Sequence, residues 1–143
     1  MLCFDRAALP FERSVAHAYL LRQTAHRLNL QHDNKASSTI SACLRAAESF
    51  VVCAGVSSSL VKRTKYLTLA ADLFSRGSQI SRAAQAYFNA GKYTEAAQHF
   101  MRAELYEEAA DVVLSFRSEM DSKVAMRCLG SAKLYLHREG ELL

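Results

Sequence analysis

The sequence predicts an all-α fold, an α-solenoid of short antiparallel helix pairs, and three observations carry that prediction. The first is a repeat. Ala-Ala pairs stand at Ala70-Ala71, Ala83-Ala84, Ala96-Ala97 and Ala109-Ala110, each 13 residues after the last. Four positions after the first Ala of each pair comes a large apolar residue: Phe74, Tyr87, Phe100 and Val113. A small residue follows three further on at Gly77, Ala90 and Ala103, and Phe116 breaks the rule. Three further again come Ile80, Tyr93 and Tyr106, with Glu119 breaking it. The second observation is the scarcity of helix breakers, one proline and five glycines in 143 residues. The third is that alternating β-branched runs are nearly absent, Val51-Val52 being the exception.

The period has a physical reading. A helix of about 10 residues and a turn of about three fill one unit. Residues four and seven apart share a helix face. The Ala pair, the bulky residue and the small residue therefore form one stripe per helix. Small residues let a neighbouring helix approach closely, and the bulky side chain fills the space that remains. One such helix cannot bury its stripe alone, but stacked neighbours can. The packing set is Ala70, Phe74, Ala83, Tyr87, Ala96, Phe100, Ala109 and Val113.

Along the chain, residues 1–143 read as one helical-repeat domain. The first helices occupy 1–29. Cys3 to Pro10 matches His99 to Tyr106, which places Met1 inside a repeat helix and Pro10 in the first turn of the next. That helix runs to about Leu28, with Phe11, Val15, Ala18, Tyr19 and Leu21 inward. Residues 30–38 form a polar loop, and Ser37 or Ser38 caps the helix that follows. Two longer helices fill 39–76. The first covers 39–54, with Ile40, Cys43, Leu44, Ala47, Phe50 and Val51 on its apolar side and Gly55 at its end. The second spans 59–76, with Leu60, Leu67, Ala71 and Phe74 opposite its charges. Short units follow at 79–90, 93–102 and 106–117, with Gly77 and Gly91 as left-handed terminators. Asp121 or Ser122 caps a last helix reaching 137, on which Val124, Cys128, Leu129, Leu134 and Leu136 are apolar. No polar end-cap closes the array, so the chain reads as a fragment whose uncapped ends, with Phe4, Leu9, Leu134 and Leu136, self-associate.

Charge and cysteine usage narrow the function. The net charge is +4, and residues 1–68 hold nine Lys or Arg against four Asp or Glu. The densest cluster is Lys62, Arg63 and Lys65, and with Arg22 and Arg27 it forms the candidate basic contact patch. Cys43 and Cys53 lie about 15 Å apart on one helix, too far for a disulfide. The four cysteines read as reduced, buried small hydrophobes of an intracellular protein, cytoplasmic or nuclear. No Cys or His spacing suits a metal. Asp5 and Arg6 interrupt any leader, and the longest apolar stretch, Phe50 to Val56, is too short to span a bilayer. No membrane association is expected.

Catalytic motifs are sought without success. Gly91-Lys92 is followed by Tyr93 and lacks the upstream glycine of a phosphate loop. Neither a nucleophile elbow, a zinc-protease motif nor an EF-hand loop occurs. Glu107, Glu108 and Asp111 make an acidic helix start, which the helix dipole favours. The chain is therefore expected to be non-enzymatic, with no cofactor.

Gly91-Lys92-Tyr93-Thr94-Glu95-Ala96-Ala97 resembles tetratricopeptide-like repeats. The sequence departs from their consensus in lacking Trp and a terminal Pro, and its two-helix unit spans about 26 residues where that family has about 34. The chain further resembles the helical region of large fungal proteins related to the tetratricopeptide-and-ankyrin-repeat family, which carry a UvrD-like helicase domain. The matching stretches are Cys3 to Ala7, Ala18 to Arg22, Ala83 to Tyr87 through Ala96 to Phe100, and Ser131 to Tyr135. The resemblance implies an ATP-driven helicase elsewhere in a longer chain and assigns no catalytic residue here. Two expectations follow. One is a protein-interaction scaffold whose partner is another protein or an adjoining domain. The other is a helicase-associated segment that helps hold nucleic acid.

Overall fold

The computed structural model describes residues 8–31 and 37–142, with side chains for 13–28 and 37–135. Expectations placed on residues 1–7 and on the side chains of Leu9, Phe11 and Leu136 lie outside these residues. The fold is all-α: α1 Ala8–Gln31, α2 Ser37–Val56, α3 Leu60–Arg76, α4 Ile80–Asn89, α5 Tyr93–Arg102, α6 Tyr106–Phe116 and α7 Ser122–Leu142. A 3-10 turn at Arg117–Glu119 precedes α7, and no strand occurs among the described residues. The chain divides into two compact units, Met1–Gln79 and Ile80–Leu143.

In the first unit α2 packs against both α1 and α3. Its buried face is Thr39, Cys43, Ala46, Ala47, Phe50, Cys53 and Ala54. These follow the three- and four-residue spacing of one helix side. Phe50 is fully buried, meets Tyr19 of α1 edge-on at 5.1 Å and stacks on Tyr66 of α3 at 6.2 Å. One ring thus joins three helices. By length and composition α2 is long and apolar enough to cross a bilayer; one face, from Thr39 to Ala54, is buried against the neighbouring helices, while Val51, Val52 and Val56 are exposed.

Several boundaries differ from the sequence expectation. Helix α1 continues through Leu30 and Gln31, and α2 begins at Ser37, so both loop-facing ends are longer than expected. Gly55 lies inside α2, which ends at Val56, because the Ser57–Ser59 turn supplies the break one residue later. Ser59 caps α3, with extended backbone and its hydroxyl accepting from the Lys62 N–H at 3.4 Å. Val51 and Leu60 are exposed, against expectation. Leu60 opens its helix at the turn, where no neighbouring layer covers it, whereas Leu67, Ala71 and Phe74 on the same helix are buried.

In the second unit consecutive helices pack on one another and α5 also touches α7. Its core gathers Ala84, Ala96, Ala97, Phe100, Ala109, Val112, Val113, Met120, Ala125 and Cys128. Phe88 of α4, Tyr93 of α5 and Phe116 of α6 form a second cluster, with Tyr93 and Phe116 stacked at 3.8 Å. Asp121 caps α7, its carboxylate accepting from the N–H groups of Lys123 and Val124 at 2.9 and 3.1 Å. The Asp121 N–H in turn donates to Thr94 Oγ1 at 3.1 Å, which ties the cap to the start of α5.

The turns after α3, α4 and α5 share one hydrogen-bond pattern. After α3, the Gln79 N–H bonds the Phe74 carbonyl at 2.8 Å and the Ser78 N–H bonds that of Ser75 at 3.2 Å. After α4 the same pair of bonds runs from Lys92 to Tyr87 and from Gly91 to Phe88. After α5 it runs from Leu105 to Phe100 and from Glu104 to Met101. These are Schellman closures, each of which needs a left-handed residue just past the helix. That residue is Ser78, Gly91 and Glu104, with φ of 64°, 78° and 62°. The expected terminator Gly77 is not left-handed, at φ −83°. It sits instead one position earlier, where an added Cβ would lie 2.8 Å from Leu44 Cδ2. Its role is close approach to α2.

The sequence exception is also the structural one. Phe116 occupies the position of Gly77, Ala90 and Ala103, and its ring enters the Phe88–Tyr93 cluster. The next residue, Arg117, stays right-handed at φ −54°, and the chain continues into the 3-10 turn.

A prediction follows from these turns. A left-handed residue other than glycine costs about 1–2 kcal/mol, partly offset by the greater freedom glycine loses on folding. Glu104→Gly and Ser78→Gly are each expected to stabilise by about 0.5–1 kcal/mol. Gly91→Ala should destabilise by about 1 kcal/mol. Nothing lies within 4 Å of a Cβ added at Gly91, so that loss reports backbone alone. Urea titration measures all three, and a destabilising Glu104→Gly would contradict the turn assignment.

Candidate functional site

The packing residues and the basic residues of the sequence separate cleanly in space. Ala70, Ala83, Ala96 and Ala109 are fully buried, as are Phe74, Phe100 and Val113 to within a few per cent, and Tyr87 is half-buried. Tyr87 lies 4.9 Å from the ring of His99. These residues form core, and none of them lies on an open surface.

The five basic residues are all exposed, but they fall into two groups. Lys62, Arg63 and Lys65 occupy the first turns of α3. Arg22 and Arg27 lie near the C-terminal end of α1, where they line a recess of about 670 Å³ together with Tyr19, Gln23, His26 and Arg76. Arg76 closes the last turn of α3, so the two groups stand about 20 Å apart along that helix. Tyr19, Arg22, Gln23, His26 and Arg27 follow one another at helical spacing and form a single polar stripe of α1.

Charge in the recess is weakly compensated. Arg76 Nε pairs with Asp72 Oδ2 at 3.3 Å, one turn earlier on the same helix. Both partners are about half exposed, so the pair contributes little to stability. Among the described residues Arg22 and Arg27 have no carboxylate partner. Among the described residues the lining offers three guanidiniums, an imidazole, an amide and a phenol, and no carboxylate. Such a set has the donors to hold an anion.

His26 and Arg76 are the members that sequence reasoning missed. His26 was legible as the residue four after Arg22 on the same helix face. Arg76 was not, because only the packing of α3 beside α2 brings it to the recess. In the second unit a smaller hollow of about 200 Å³ is lined by Phe88, Phe100, Val112 and Phe116 with Gln85, Glu108, Asp111 and Ser115. At the chain's far end Leu134 is 70% exposed.

Cys43, Cys53 and Cys128 are buried. Burial pushes all three thiols up; at Cys43, Arg76 pulls the other way and Asp72 adds to the rise. Above the ordinary thiol value, about 8.5, the folded state therefore holds protons that the unfolded chain releases. Stability is fully present below that pH and falls as pH climbs through the raised folded values. The urea midpoint is expected to be flat between about pH 7 and 8 and lower near pH 10. A midpoint that rises over this range would contradict the burial of the thiols.

Comparison with protein families, curated proteins and solved structures finds no match to this chain.

Proposed function

We propose that the chain is a non-enzymatic helical-repeat scaffold for protein interaction, an α-solenoid of tetratricopeptide-like type belonging to a larger multidomain protein. The observation that supports this most is the recurrence of one stripe and one Schellman turn at the same 13-residue spacing. Stacked identical units present a continuous surface, and such surfaces serve binding. The exposed apolar side chains at the α2–α3 turn, Val52, Val56, Leu60 and Val61, add contact area of the kind protein partners cover. The test is reconstitution. A partner protein recovered with the full chain, purified and returned to it, should bind saturably, and nuclease treatment should leave that binding unchanged. An intrinsic turnover of nucleotide or ester substrates by the chain alone would reject the reading.

A second reading is supported by the exposed cations. In it the chain is an accessory segment of a UvrD-like ATP-dependent helicase and helps hold nucleic acid through Lys62, Arg63, Lys65, Arg22 and Arg27. Phosphate contacts release counterions, so affinity would fall linearly in log–log form as salt rises. A flat salt response rejects this second reading and favours the first.

A further inference from the structure

We propose that the recess between α1 and the end of α3 binds a phosphorylated segment of a partner protein, with Arg22, Arg27 and Arg76 holding the phosphate. The inference rests on the protein-scaffold reading and names the chemistry of the partner. Three features carry it.

The first is the donor set. Arg22, Arg27 and Arg76 line one recess, and among the described residues no carboxylate lines it with them, Asp72 standing behind Arg76 on the same helix. A phosphate on Ser or Thr carries close to two negative charges and three acceptor oxygens, which planar guanidiniums meet in pairs. Clustered arginines are the general device for recognising such groups. The second is orientation. Asp72 engages Arg76 through Nε, which leaves the terminal nitrogens of the guanidinium for a ligand.

The third is shape. The recess, about 670 Å³, has room for a phosphorylated side chain with its neighbours, and Tyr19 and Gln23 offer contacts to a peptide beside it. A nucleic-acid backbone would need cations continuing as a track. The next cluster, Lys62, Arg63 and Lys65, stands about 20 Å along α3 instead. The three arginines share one recess and do not continue as a track, which suits a single phosphate better than a polymer.

The experiment uses the full chain and three fluorescent probes: a degenerate peptide pool centred on phosphoserine, its serine twin, and a mixed-sequence single-stranded oligonucleotide. Anisotropy at physiological salt should show the phosphoserine pool binding at least about tenfold tighter than the serine pool. Arg22→Gln with Arg27→Gln should abolish that preference, while Lys62→Gln with Arg63→Gln should leave it unchanged. Arg22→Lys with Arg27→Lys keeps the charge and loses the paired geometry, and should reduce the preference to an intermediate value. Because this pair preserves charge and exposure, its effect separates recognition from loss of fold.

Equal binding of the two peptide pools would overturn the inference and leave the scaffold reading standing. Tighter binding of the oligonucleotide, lost with Lys62 and Arg63, would overturn both. Binding of none of the probes overturns the inference at this recess.

Discussion

Phe50→Ala is expected to lower the stability of the first unit by about 3–5 kcal/mol, the largest single effect anticipated in the chain. The ring is fully buried and touches both neighbouring helices through Tyr19 and Tyr66. Its removal costs the transfer of the ring, leaves a cavity and breaks two aromatic pairs, each of which adds about 0.5–1.5 kcal/mol beyond area. A domain of this size has only about 5–15 kcal/mol in total, so the unit would lose much of its margin. Phe50→Leu retains most of the volume and should cost less than half as much. Urea unfolding followed by circular dichroism separates the two. Equal losses for both variants would mean that the aromatic contacts carry the whole loss and that the buried volume of the ring contributes nothing.

The second large effect comes from adding volume. Ala84 and Ala97 have no exposed surface and share one core with Phe100 and Val113. Ala84→Leu and Ala97→Leu are each expected to destabilise the second unit by about 1–3 kcal/mol through overpacking. Both enlarge the same cluster, so the double variant should depart from additivity. Leucine at the exposed neighbours Gln85 and Gln98 serves as the control and should change stability by no more than about 0.5 kcal/mol. If the buried and the exposed substitutions melt alike, the Ala pairs do not form a packed stripe.

Helix existence was legible because the pattern repeats: small pairs, one bulky residue and a turn recur in register. The starts of α5 and α6 at Tyr93 and Tyr106 fall where that register places them. Asp121 was legible as a cap because an oxygen-bearing side chain preceded an apolar run. The left-handed residue was misread because glycine was taken as its marker. At Gly77 the missing side chain serves contact with Leu44, and Ser78 adopts the strained backbone. Leu60 was misread because a helix-face argument ignores that the first turn extends past the neighbouring layer. Arg22 and Arg27 were legible as cations, but not as part of a recess, since Arg76 arrives from another helix. That juxtaposition depends on how α1, α2 and α3 pack, which local sequence does not encode.

The claim beneath both the fold and the proposed function is that one structural unit recurs every 13 residues. Backbone NMR of the whole chain tests it most directly. The account predicts helical carbon shifts across α3, α4, α5 and α6, interrupted by positive-φ residues at Ser78, Gly91 and Glu104, with slowed exchange of the Gln79, Lys92 and Leu105 amides that close the turns. Helical shifts running unbroken through Gly91 or Glu104, or positive φ at Gly77 in place of Ser78, would contradict it.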